Sequence, residues 1–170
     1  MQYKIFKFKR VKSTNNTAIR IIKETNCNLG MVISETQVKG KGQYGRKWIS
    51  FKGNLFVTFF NKLNKSKLKI SSITKYNCLL VKELLSKFTK KKILFKKPND
   101  LLIDKKKISG ILQEVILINN NKFLITGIGI NITKNPIIKN YPATNLQEVI
   151  KKSISKTIVE KKLIQIFEKN

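Results

Sequence analysis

Gly40-Lys41-Gly42-Gln43-Tyr44-Gly45 fits the dinucleotide-binding spacing G-x-G-x-x-G, and the residues after it decide the fold. In a doubly wound α/β sheet such a motif opens a helix whose N-terminus holds a pyrophosphate. Here the chain runs instead through Arg46, Lys47, Trp48, Ile49 and Phe51 into Leu55–Phe60, a stretch of aromatic and β-branched residues that reads as a strand. A P-loop fails as well, because Arg46 and Lys47 follow Gly45 where the motif needs Lys and then Ser or Thr. Two readings remain. One is a flexible cationic loop whose glycines let backbone N–H groups approach an anion. The other is a hairpin turn made basic by composition.

On either side the pattern is one of short strands and a few helices. Tyr3 to Val11 alternates apolar residues with lysines, as a half-buried strand does. Ser13 or Thr14 is expected to cap a helix whose Ala18, Ile21 and Ile22 recur at helical spacing. A strand over 31–36, the loop 37–47 and the strand 55–60 come next. A helix over 70–88 follows, with Ile73, Leu80, Leu84 and Phe88 on its buried side. Two short strands are expected within 92–107, around Pro98, Asn99 and Asp100. A hairpin pairs 107–118 with 122–132 across three asparagines, and a helix closes the chain at 153–168. Strands outnumber helices and hairpins dominate. The fold class is therefore α+β, a mixed, mostly antiparallel sheet with helices packed on it. With no repeat and no linker, residues 1–170 are expected to be a single domain.

Composition narrows the chemistry. The 170 residues include no histidine, which removes serine–histidine and cysteine–histidine catalysis and His-ligated zinc. Cys27 and Cys78 lie far apart and outside any C-x-x-C pattern, as expected of reduced thiols. There is no signal peptide and no apolar run near the roughly 20 residues that span a bilayer, so a cytoplasmic location away from membranes is expected. The net charge of +27 draws in polyanions, yet three arginines stand among the 36 basic residues. A dedicated nucleic-acid reader leans on arginine forks. Lysine spread along a chain rich in Ile and Asn points instead to compositional drift, and nucleic acid is disfavoured as a partner.

Two further clusters carry chemistry. Lys96-Lys97-Pro98-Asn99-Asp100-Leu101 is turn chemistry at a strand end, and Gly110 inside an apolar strand marks a close approach. Gly127 and Gly129 point to one face of their strand and are expected to leave a flat slot for a ligand. Lys107, in a run of three lysines, reads by itself as a solvated side chain.

Taken together these stretches resemble biotin protein ligases. Gln37 through Trp48 is similar to their glycine- and arginine-rich ligand loop, and Lys96 through Gly110 to their K-W-P-N-D-L segment with its following Lys and Gly. Gly127 to Asn131 is similar to their G-x-G-x-N strand, and Ser13-Thr14-Asn15 to the S-T-N opening their first helix. The order and intervals agree over nearly the whole chain. The lipoate branch is disfavoured, because its glycine motif carries a histidine.

The resemblance implies a fold shared with lipoate ligases and similar to class II aminoacyl-tRNA synthetase cores. It also implies a reaction: biotin is activated by MgATP to biotinyl-5′-AMP and passed to a lysine of a biotin carboxyl carrier domain. ATP and Mg²⁺ would be co-substrate and ion. By the same resemblance Lys107 and Arg46 are catalytic. Ser13, Thr14, Gln37, Gly40, Lys41, Lys107, Gly110, Gly127 and Gly129 contact biotin; Gln43, Arg46, Trp48, Lys96, Asn99 and Asn131 contact the nucleotide; Asp100 orients the acceptor lysine or sits near Mg²⁺. The chain departs from the pattern at Lys97, where the relatives have an aromatic, and at Gln43, where an arginine is common. No basic winged-helix segment precedes the first strand, so repressor activity is not expected. The sequence ends at Asn170, where many relatives continue into a small β-barrel. Two other readings differ in class: a basic nucleic-acid-binding protein, and a degenerate ligase kept as a biotin-binding module. Monomer and homodimer both remain open.

Overall fold

A computed structural model describes residues 2–63 and 70–170. Among them, seven strands form one sheet in the order β1-β2-β3-β7-β6-β5-β4. The first βαβ unit is β1 (Lys4–Val11), α1 (Thr14–Thr25) and β2 (Leu29–Gln37), and its two strands run parallel. Every other neighbouring pair is antiparallel: β3 (Leu55–Lys62), β4 (Ile93–Lys96), β5 (Asp100–Ile103), β6 (Lys106–Ile118) and β7 (Asn121–Ile130). Helices α2 (Ile70–Ser86), α3 (Leu146–Ile150) and α4 (Lys156–Lys169) complete the chain. The expected α+β sheet and the 107–132 hairpin are present. The C-terminal helix starts three residues later than its pattern suggests, and the five-residue α3 has no sequence signal strong enough to announce it.

Period-two alternation on β2, β3 and β7 sends side chains to two cores. Met31, Ile33, Leu55, Val57, Phe59, Ile128 and Ile130 pack under α2 and α4, around Leu84 and Leu163. Val32, Phe60 and Ile125 face Ala18, Ile21 and Ile22 of α1 on the other side. Leu84 is fully buried, so trimming it to alanine costs about 2–5 kcal/mol. Cys27 and Cys78 are free thiols. No helix among the described residues is long and apolar enough to cross a membrane.

The start of α1 corrects one expectation. Ser13 occupies the N-cap, but its side chain makes no capping hydrogen bond. The backbone N–H of Thr14 instead donates to Gln37 Oε1 at 2.8 Å, and the Thr14 hydroxyl donates to the same oxygen at 3.0 Å. A glutamine from the end of β2 therefore serves as the cap. It ties the first helix to the strand that leads into the glycine loop.

Candidate active site

On the α1 face of the sheet, β6 and β7 carry the glycines Gly110, Gly127 and Gly129. A cavity of about 740 Å³ opens there, walled by the loop 41–49, residues 96–100 and residues 136–143. Three glycines lie in its floor. Gly110 and Gly129 are direct neighbours across β6 and β7, and Gly127 is two residues back on the same face as Gly129. Gly127 and Gly129 line the cavity as expected, and protein side chains approach them closely. A methyl on Gly129 would stand 2.4 Å from the Trp48 ring and one on Gly110 2.8 Å from it, while one on Gly127 would meet Asn15 Oδ1 at 2.2 Å. The bare strands thus receive protein side chains, and the cavity lies above and beside them. Asn15 is pinned in place: its amide donates to Glu114 Oε2 at 2.7 Å and its oxygen accepts from Thr58 Oγ1 at 2.7 Å.

The glycine loop is a closed hairpin. Trp48 N–H donates to Gly40 O at 2.9 Å, Gly42 N–H donates to Arg46 O at 2.7 Å, and Lys41 bridges Lys47. Gly45, at φ +72°, occupies a conformation that suits glycine. Gln43 and Trp48 point inward, and both Gln43 Oε1 and Trp48 Nε1 are buried without a hydrogen-bond partner. Lys41, Arg46 and Lys47 line the mouth.

Lys107 reaches the floor because β6 is irregular. Leu101 pairs with Ser109 while Leu102 pairs with Lys107, so Ile108 is an extra residue. Strict alternation would put Lys107 and Gly110 on opposite faces; the bulge returns them to one face, as bulges beside active sites do. The Lys107 Nζ lies 3.1 Å from the position a Gly110 methyl would take and 2.7 Å from Asp100 Oδ1. It also sits over the rings of Trp48 at 5.2 Å and Tyr141 at 5.6 Å. The second Asp100 oxygen, Oδ2, accepts a hydrogen bond from the Tyr141 hydroxyl. Burial first, and then the Asp100 contact, push the Tyr141 phenol up to about 12.

Six lysines and Arg46 line the cavity against one carboxylate, Asp100, so the interior is a strongly positive enclosure suited to phosphates. Asp100 has both oxygens engaged, and the lining holds no second acid. Among the described residues no group of three or more His, Cys, Asp or Glu side chains is gathered as a metal site.

The structure brings Thr14, Gln37, Lys41, Gln43, Arg46, Trp48, Lys96, Asn99, Asp100, Lys107, Gly110, Gly127, Gly129 and Asn131 to this one cavity. Ser13 and Gly40 lie outside its lining, Ser13 buried at the helix start and Gly40 beneath Trp48. Asn131 is engaged by the protein itself, donating to Thr144 O at 3.1 Å and accepting from Asn54 at 3.4 Å. Asn99 donates to Ile111 O at 2.6 Å and so pins the turn before β5 to β6. The sequence reading missed Tyr141 and the inserted Asn15 side chain. Tyr141 sits in a loop with no motif, and its contacts are set by tertiary pairing alone.

Comparison with known proteins agrees with this geometry. The bifunctional ligase/repressor BirA of Escherichia coli is 32% identical over 102 residues, which is 59% of this chain and 32% of that protein. BirA of Bacillus subtilis is 26% identical over 167 residues, 94% of this chain and 51% of that protein. The chain thus spans about half the length of these relatives or less. The structure superposes on a biotin protein ligase from Aquifex aeolicus, solved in complex with biotin and ATP, with a TM-score of 0.80. The two are 31% identical over 98% of this chain and 69% of that one. The fold is thus the expected biotin ligase core. A Biotin/lipoate A/B protein ligase family model matches residues 7–131, and the chain belongs to that family.

Proposed function

We propose that the chain is a biotin ligase domain that makes biotinyl-5′-AMP from biotin and MgATP and passes the biotinyl group to a lysine of a biotin carboxyl carrier domain in the cytoplasm. The observation that carries this reading is the Lys107–Asp100 pair, set beside a flat floor in a cavity rich in cations. Both half-reactions bring anions together and need fixed positive charge more than a proton relay.

In the first step a biotin carboxylate oxygen attacks the α-phosphorus, the bond to the bridging oxygen breaks, and pyrophosphate leaves with Mg²⁺. Lys107 and Arg46 offset the charge that grows on the α-phosphoryl oxygens. In the second, a neutral lysine amine attacks the biotinyl carbonyl and AMP departs. The amine gives up a proton as the amide forms, and Asp100, through lone pairs not used by Lys107 and Tyr141, would orient that amine or stand near the Mg²⁺ of the nucleotide. Thr14 and Gln37, already hydrogen-bonded to each other, face the end of the cavity that would take the ureido ring, with Lys41 and the glycine strands as walls. Gln43, Trp48, Lys96 and the asparagines Asn99 and Asn131 border the nucleotide side.

Thermal denaturation tests the reading. Biotin with MgATP raises the melting temperature by several degrees, and an oligonucleotide of equal charge does not. A shift with the oligonucleotide and none with biotin and MgATP would favour the nucleic-acid reading. A shift with biotin and no adenylate formed would favour a binding module.

A further inference from the structure

A lysine side chain has four rotatable bonds and gives up most of its rotamer freedom when it is held in one place. Something must therefore confine Lys107 if its ammonium is to meet a reacting phosphate without reorganisation. Asp100 supplies one contact, at 2.7 Å. Tyr141 and Trp48 supply others. The Tyr141 hydroxyl donates to the far oxygen of Asp100, its ring stands 5.6 Å from the Lys107 Nζ, and the Trp48 ring stands 5.2 Å from it. A second lysine, Lys96, lies 4.9 Å from the centre of the same ring.

The backbone joins the two residues more firmly. Lys107 N–H donates to Pro142 O at 2.9 Å, and Thr144 N–H donates to Lys107 O at 2.9 Å. Residues 142–144 form a parallel rung laid on Lys107 itself, centred on Ala143. Tyr141 is thus delivered by a segment tethered to the residue whose side chain it confines.

We propose that Tyr141 is a positioning residue for adenylate formation: its hydroxyl locks the Asp100 carboxylate, and its ring and that carboxylate together hold the Lys107 ammonium at the cavity floor. The proposal rests on the ligase reading and on Lys107 acting at the phosphate. No covalent step passes through the phenol, which stays protonated at neutral pH.

Tyr141→Phe keeps the ring and removes the hydroxyl. Biotin-dependent pyrophosphate release should fall about tenfold in kcat, with KM for biotin and ATP within about twofold of wild type, since the contact matters for charge placement in the transition state more than for ground-state binding. Tyr141→Leu, which removes ring and hydroxyl together, should fall further. The phenol reports the contact without any turnover: burial first and the Asp100 contact second push it up to about 12, so in Asp100→Asn its ultraviolet titration should move down by the Asp100 share and keep the share due to burial. Lys107→Ala is run beside them. If Lys107→Ala is inactive while Tyr141→Phe keeps wild-type kcat, or if the phenol titrates alike with and without the Asp100 carboxylate, the positioning role is wrong and the ligase reading stands. If wild type releases no pyrophosphate in response to biotin, the ligase reading itself fails.

Discussion

Trp48 lies against Gly129 so closely that a single methyl group on Gly129 would stand 2.4 Å from the indole. Gly129→Ala must therefore expel the ring or displace β7, and overpacking of this kind costs about 1–3 kcal/mol. Because Trp48 also shields Lys107, biotin and ATP affinity should fall with it. Trp48→Phe removes the atoms that clash. In the Gly129→Ala background it should recover part of the stability, so the two changes are non-additive in a denaturant titration. Additive losses would show that the indole moves aside freely.

Gln43 carries a neutral amide into the loop, with its oxygen buried and unpartnered. A charge-assisted hydrogen bond to a phosphate is roughly twice as strong as a neutral one. Gln43→Arg should therefore hold biotinyl-5′-AMP longer, and the wild type should label its own lysines faster than the variant in the absence of a carrier. Mass spectrometry of both proteins after incubation with biotin and MgATP measures this. Equal self-labelling would mean that another cation already retains the adenylate.

Burial first, and the nearby Asp100 charge second, push the Cys78 thiol up to about 12. A folded-state value above the unfolded one favours the protonated fold. That contribution is complete below the ordinary thiol range near 8.5 and is lost as pH climbs toward 12. Wild type should accordingly lose more stability than Cys78→Ala over that window. At mildly alkaline pH a thiol reagent should label Cys27 and spare Cys78 until denaturant is added. Rapid labelling of both cysteines in the native protein would contradict the burial of Cys78.

The parts of this site legible in the sequence are those written in local patterns. The 107–132 hairpin follows from alternation on both sides of three asparagines, and the glycine loop is recognised because an aromatic strand follows it where a helix would be needed. Lys107 shows the limit. Its alternation with Gly110 predicts opposite faces, and only the extra residue Ile108, visible in the pairing with β5, reverses that. The slot expected over Gly127 and Gly129 lines the cavity, but the side chains that narrow it are not legible for a similar reason: which of them approaches a bare strand depends on where α1 and the loop come to lie, and spacing along one strand carries no record of Asn15 or Trp48. Likewise the helix cap passes from Ser13 to Gln37, a residue 23 positions beyond Thr14 that reaches it only once β2 is paired.

The proposed role of Lys107 on this cavity floor is to promote attack of biotin's carboxylate on ATP. Biotin-dependent release of pyrophosphate, with biotinyl-5′-AMP identified in the same reaction, measures it directly in wild type and in Lys107→Ala. Wild type should give adenylate and pyrophosphate in equal amounts, and Lys107→Ala a rate at least about a hundredfold lower with biotin binding largely intact. Pyrophosphate release by Lys107→Ala at the wild-type rate, or none from wild type at saturating biotin and MgATP, would contradict that role.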